Sequence, residues 1–171
     1  LTAMRRHINK EETLQLIDRM RREVPDLKLR TTLMVGFPGE TDEDFQELLD
    51  FVRTVRFERM GAFAYSEEEG TYAALHLIDD VPEETKQQRL DTLMQLQQEI
   101  SLELQQEMIG TRLTVVVDTV NEDGSAICRT QWDSPEVDPE LIIDRTDAKP
   151  GDYIEVEVTD AAEFELYGRQ L

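Results

Sequence analysis

The stretch Thr31-Thr32-Leu33-Met34-Val35-Gly36-Phe37-Pro38-Gly39-Glu40-Thr41 decides how this chain is read. An apolar run stops at a glycine, and a helix start follows almost at once. Thr41-Asp42-Glu43-Asp44 has the form of a capping box, with Thr41 as cap and Asp44 reaching back. Behind it, Phe45, Leu48, Leu49, Val52 and Val55 form one apolar stripe, which predicts a helix over 42–56. Ahead of it, Leu29 to Val35 predicts a buried strand. In α/β folds the loop at the carboxyl end of a strand is where ligands bind. Two glycines let a ligand approach the backbone, and a helix start offers N–H groups. The loop lacks the third glycine of a dinucleotide fingerprint and the Gly-Lys-Ser/Thr of a phosphate loop. Taken in isolation, Gly36-Phe37-Pro38-Gly39-Glu40 reads first as a plain turn that needs Gly and Pro for its angles.

Outward from this junction the α/β pattern continues. Leu14, Ile17, Met20 and Val24 recur at helical spacing, so 10–24 is a predicted helix ended by Pro25. Met60 to Tyr65 is a second predicted strand. A helix connects it to the first, so the two are expected to run parallel in a right-handed βαβ unit. Residues 66–80 read as one long loop with an acidic knot, Glu67-Glu68-Glu69. Pro82 opens a long helix, 82–108, whose stripe is Leu90, Leu93, Met94, Ile100, Leu104 and Met108 and which Gly110 closes.

After Gly110 the pattern changes to short strands. Strands are predicted at 113–117, 126–130, 141–143, 153–159 and 164–167, with turns at Asn121-Glu122-Asp123-Gly124 and Pro150-Gly151-Asp152. Five short strands in so little chain suggest a small all-β barrel. The domain boundary is expected near Met108–Gly110, giving domains 1–108 and 109–171.

Composition narrows the partners. The 171 residues hold 18 Lys and Arg against 38 Asp and Glu, a net charge of -20. That argues against direct nucleic-acid binding and against an anionic membrane surface, because phosphate affinity comes mostly from Lys and Arg. From Ile109 to Leu171 fifteen acids face five bases, so this third of the chain carries -10. Such a surface suits a basic protein. No apolar run is long enough to span a membrane, and no signal peptide is recognisable; a cytoplasmic location is expected.

The isolated reactive groups carry little. His7 and His76 have no partner at metal-ligand spacing, and Glu67-Glu68-Glu69 reads as a solvated loop. Arg5 and Arg6 read as surface groups that could hold a carboxylate. The single cysteine, Cys128, falls in a predicted strand and reads as an inert core residue.

Several motifs occur together in one order: Met4-Arg5-Arg6, Leu29-Arg30-Thr31-Thr32, Val35-Gly36-Phe37-Pro38-Gly39-Glu40-Thr41, Tyr65-Ser66, Gly70-Thr71-Tyr72-Ala73 and Ser134-Pro135-Glu136-Val137-Asp138. In this the chain resembles the C-terminal part of a radical S-adenosylmethionine methylthiotransferase, of the type that modifies an aspartate of a small-subunit ribosomal protein. The resemblance covers essentially the whole chain. It implies an α/β plus all-β fold: the last βα units of a partial radical-SAM TIM barrel, then a small five-stranded TRAM β-barrel.

The resemblance also implies S-adenosylmethionine and two [4Fe–4S] clusters in the parent enzyme. The cysteines that hold those clusters in the family have no counterparts here. It therefore implies a fragment without the N-terminal domain and the first part of the barrel, inactive alone, whose opened barrel could associate artefactually into oligomers. Gly36, Phe37, Pro38, Gly39 and Glu40, with Tyr65 and Ser66, are implied to line the S-adenosylmethionine site. Trp132, Asp133, Pro135, Glu136 and Asp138 are implied to touch the substrate. No residue here is assigned a catalytic or metal-binding role. Two other readings stand beside this one: a transfer-RNA adenosine methylthiotransferase, and a non-catalytic acidic adaptor for a basic protein.

Overall fold

The computed structural model describes residues 1–135 and 137–171; Glu136 lies outside them. The backbone divides into two compact units, Leu1–Gln97 and Gln98–Leu171.

The first unit contains α1 (Lys10–Glu23), β1 (Arg30–Val35), α2 (Asp42–Val55), β2 (Arg59–Ala64), the short α3 (Tyr72–His76) and the first part of α4 (Glu83–Gln106). β1 and β2 pair in parallel, from Arg30 opposite Arg59 to Val35 opposite Ala64, as the helical connection requires. α2 begins with the expected capping box: Thr41 Oγ1 accepts from the Asp44 amide at 3.2 Å, and Asp44 accepts from the Thr41 amide at 2.9 Å. Leu49, Val52 and Val55 bury the inner face of α2. Its last carbonyls are met by a cation: Arg21 of α1 donates to the Val55 and Arg56 oxygens at 2.6 and 3.1 Å. That is the favourable sign for a helix C-terminus.

Two expectations need correction. The 66–80 segment is not all loop, because α3 forms one and a half turns at Tyr72–His76 behind a Thr71 cap. Five residues are too few to leave an apolar period in the sequence. The inner face of α4 is also not the expected apolar stripe. Leu93 and Ile100 are buried, but Leu90, Met94, Leu104 and Met108 are only half-buried. The buried line instead includes Lys86, Arg89, Gln97, Ser101 and Gln105, which with Leu93 are spaced three or four apart on one helical face. Each finds a bonding partner. Gln97 donates to the Phe57 oxygen at 2.9 Å, Ser101 to the Glu163 oxygen at 2.8 Å, and Gln105 to the Ala162 oxygen at 2.6 Å. The Gln97 and Gln105 side-chain oxygens are left without a partner, and a polar face of this kind is hidden from any search for hydrophobic spacing.

The second unit closes five strands into a barrel in the order β3-β4-β5-β7-β6. They are β3 (Arg112–Val120), β4 (Ala126–Arg129), β5 (Glu140–Ile143), β6 (Tyr153–Ala161) and β7 (Glu165–Gln170). All neighbours are antiparallel except β5 and β7. Alternate residues point inward: Val115 and Val117, Ala126 and Cys128, Leu141 and Ile143, Ile154, Val156 and Val158. Register shifts at Val117/Thr119 and Val158/Asp160 bend the two longest strands, as closing so few strands requires. The hairpin turn is where the sequence placed it, with Gly124 at φ +88 and the Asn121 amide donating to Ser125 at 2.8 Å.

The barrel interior leaves no room at Gly168. A Cβ there would lie 2.4 Å from Val156 Cγ1 and 3.0 Å from the Glu157 oxygen. Gly168→Ala is expected to destabilise the barrel by about 1–3 kcal/mol through overpacking. Gly61→Ala, with nothing within 4 Å of the new methyl, is expected to be neutral or slightly stabilising. Denaturant unfolding of the two variants measures both.

Candidate functional site

The parallel register brings two strand ends to one level. The Tyr65 amide donates to the Val35 oxygen at 2.8 Å, so Gly36 and Tyr65 leave the sheet side by side. The Phe37 ring stands edge-on to the Tyr65 ring, 5.3 Å between centroids. Tyr65 is buried, and that burial pushes its hydroxyl pKa up. Ser66 follows on the exposed side. The structure thus brings the 36–40 loop and the Tyr65–Ser66 strand end together through the Phe37–Tyr65 ring pair.

The two glycines do different work. Gly36 is buried at φ +72, and the Lys86 stem fills its side-chain position: a Cβ would lie 2.3 Å from Lys86 Cγ. Gly39, at φ +82, has nothing within 4 Å of the place a Cβ would take. Its backbone is therefore open on that side to close approach by a ligand.

Glu40 is held from two directions. Its Oε1 accepts from the Gly36 amide at 2.9 Å and from Arg89 Nη1 at 2.8 Å. Arg89 Nη1 also reaches the Glu40 carbonyl at 3.2 Å, while Nη2 bonds Asp42 at 2.7 Å. Two further acids tie the loop. Asp80 accepts from the Gly39 amide at 2.7 Å, and Asp79 accepts from the Lys86 ammonium at 2.6 Å. That bond, acting against burial, raises the Lys86 pKa. Arg89, Lys86, Asp79 and Asp80 were not singled out from the sequence. Apart from Glu83, 3.5 Å from the Lys86 ammonium, their partners lie 7 to 49 residues away in the chain.

The helix start is not the anion seat that its position suggested. The Thr41 and Asp44 amides are used within the capping box, and Asp42, Glu43 and Asp44 surround it with negative charge. Hydrogen bonds from the Thr41 backbone and hydroxyl hold the Asp44 carboxyl below its usual range. The amides at this helix start are therefore committed to the protein's own side chains. Arg5 is not a carboxylate clamp here. Its guanidinium lies 4.0 Å over the Tyr72 ring, whose other neighbour is the His76 ring at 4.2 Å.

On the barrel, the loop after β4 is shaped by its own acids. Asp133 is buried and accepts from the Thr130 hydroxyl, and Asp138 accepts from the Ser134 amide at 2.7 Å. These two carboxylates build the loop, whereas Trp132 is half-buried and Pro135 exposed. Glu136 lies outside the described residues. Trp132 borders a surface depression of about 560 Å³ with Tyr153, Arg112, Arg129, Thr114 and Gln131. Arg129 Nε donates to both carboxylate oxygens of Asp118, at 2.9 and 3.0 Å.

These features agree with what the chain resembles. Residues 1–52 match the radical SAM superfamily and residues 109–171 match the TRAM domain. Over its whole length the chain is 55% identical to the protein named ribosomal protein uS12 methylthiotransferase RimO of Parabacteroides distasonis and 56% identical to that of Bacteroides thetaiotaomicron. It is 57% identical, over 98% of its length, to that of Phocaeicola vulgatus. These matches define a radical-SAM segment followed by a TRAM domain. The chain is similar to part of these methylthiotransferases. It spans about 40% of the length of the relatives it matches.

The residues present fit one of the family's groups and not the other. The open backbone at Gly39 and the Phe37–Tyr65 pair suit an adenosyl ligand. Iron–sulfur clusters require several thiolates. This chain has one cysteine, buried in the barrel, and no three His, Cys, Asp or Glu among the described residues are grouped to hold a metal. Nor, among those residues, is any helix long and apolar enough to cross a membrane.

Burial pushes the Cys128 thiol up from 9.0 to about 11. The folded state therefore holds a proton that the unfolded state releases, so stability is full below pH 9 and falls as pH rises toward 11. Cys128→Ala is expected to flatten that decline in unfolding curves taken across the range. In the wild type, iodoacetamide is expected to alkylate Cys128 only on unfolding.

Proposed function

We propose that this chain is part of an enzyme that methylthiolates an aspartate of ribosomal protein uS12, using S-adenosylmethionine and two [4Fe–4S] clusters whose ligands lie outside these 171 residues. Residues 1–108 serve as the last βα units of the radical-SAM barrel and 109–171 as the TRAM domain. The observation that carries this reading is identity of 55–57% over 98–100% of the chain to proteins named ribosomal protein uS12 methylthiotransferase. Alone, the chain is inactive, because Cys128 is its only thiol and is buried.

Within this reading Gly36, Phe37, Pro38, Gly39 and Glu40, with Tyr65 and Ser66, form one wall of the S-adenosylmethionine site. Gly39 offers backbone, Phe37 and Tyr65 offer rings, and Glu40 fixes the loop. S-adenosylmethionine supplies the radical and the methyl group once the clusters are present. The TRAM barrel docks the substrate. Its net charge of -10 attracts a basic ribosomal protein and repels RNA. Trp132 and Pro135 are its contact residues, with Asp133 and Asp138 holding their loop and Glu136 adding charge.

One observation favours a transfer-RNA substrate instead. Arg112 and Arg129 share a depression with Trp132 and Tyr153, and cations beside aromatic rings are how barrels bind single strands. Asp118 neutralises Arg129, however, and Glu157 lies across the strand pair from Arg112. The protein substrate is the better fit.

Binding of uS12 to the full-length enzyme is expected to weaken at least about tenfold between ~0.05 and ~0.5 M salt, as steering between opposite charges does. Tight, salt-insensitive binding of transfer RNA with no affinity for uS12 would overturn the substrate assignment.

A further inference from the structure

The two buried cations of α4 stand one turn apart beneath the Gly36–Glu40 loop. Lys86 is 3% exposed and Arg89 7%. Their contacts are not those of two surface ion pairs. The Lys86 stem occupies the space that a side chain at residue 36 would need. Arg89 grips both ends of the loop's exit: Nη1 takes the Glu40 carboxylate and carbonyl, and Nη2 takes Asp42 in the first turn of α2. Through the shared Oε1 of Glu40, that grip extends back to the Gly36 amide. Loop entry, loop exit and helix start thus converge on one guanidinium.

We propose that Arg89 is a positioning residue for S-adenosylmethionine, acting through Glu40 to hold the Gly36–Glu40 backbone in its binding conformation. The inference rests on the reading that this loop lines the S-adenosylmethionine site. The chemistry favours arginine over lysine. A planar guanidinium donates to two groups at fixed angles, whereas an ammonium acts as a point charge. Glu40 needs such a partner. Its carboxylate is 12% exposed, and a buried carboxylate without a cation is strongly disfavoured. Loss of Arg89 leaves Glu40 to turn toward solvent and release the Gly36 amide, which frees the loop. Arg89 touches loop and helix only, so its effect on the ligand is indirect.

The test uses the full-length enzyme with Arg89→Gln, Arg89→Lys, Glu40→Gln and Phe37→Ala. Amide exchange of the segment 36–45 is measured without ligand, and S-adenosylmethionine affinity by equilibrium dialysis. With clusters reconstituted, KM is measured for both substrates. Arg89→Gln is expected to speed exchange of 36–45 and weaken S-adenosylmethionine binding by about tenfold, the scale of losing a supporting contact one step from a site. Arg89→Lys is expected to fall between that variant and wild type. KM for S-adenosylmethionine rises while KM for the ribosomal protein stays within about twofold. Adding Glu40→Gln to Arg89→Gln is expected to cost little more, because both act on one contact.

Unchanged exchange and affinity in a folded Arg89→Gln or Arg89→Lys protein would overturn the role of Arg89. A different failure separates the underlying reading. If Arg89→Gln loosens the loop but neither it nor Phe37→Ala weakens S-adenosylmethionine binding, the loop is not the cofactor wall, and both proposals fall.

Discussion

The largely shielded carboxylate of Glu40 is the constraint on which the arrangement of the first unit turns. A carboxylate removed from water must be paired and hydrogen-bonded. Here the partners are the Gly36 amide and Arg89. One bond closes the loop on itself, and the other fixes it to α4. The start of α2 joins the same group through Asp42. Gly36 must be glycine for a second reason, because Lys86 passes where its side chain would be. The strand end, the turn and the two helices therefore depend on one another. The mouth beside Phe37 and Tyr65 keeps its shape because that small polar cluster is satisfied.

How much of this the sequence discloses depends on the range of each interaction. The Thr41–Asp44 capping box, the stripe of α2 and the Asn121–Gly124 turn each lie within one local window, and each is legible. The parallel pairing of β1 and β2 follows from the helix between them. The inward set of the barrel follows from alternation in β3, β4 and β6. What stays hidden is long-range and polar. Nothing near Arg89 announces a glutamate 49 residues earlier. The buried line of Lys86, Gln97, Ser101 and Gln105 defeats a search for apolar spacing, because its donors bond distant backbone carbonyls and acids. Two of the acids that the resemblance implies for substrate contact, Asp133 and Asp138, also accept bonds within their own loop, which no local pattern announces.

The two units divide the proposed work along physical lines. The first offers backbone and aromatic surface at a strand end, which suits a small ligand held by shape. The second offers net negative charge on a rigid closed barrel, which suits capture of a large basic partner. Neither has the thiolates for cluster chemistry. A chain spanning about 40% of its relatives' length carries, on this account, a cofactor wall and a docking surface for reactive centres held elsewhere.

The central claim is that the Gly36–Glu40 loop touches S-adenosylmethionine. A photoreactive azido-adenine analogue of S-adenosylmethionine, cross-linked to the full-length enzyme and mapped by mass spectrometry, tests it directly. The loop falls in a single tryptic peptide, Thr31–Arg53. The account predicts an adduct on that peptide that excess S-adenosylmethionine suppresses. Competable labelling confined to other peptides would contradict it.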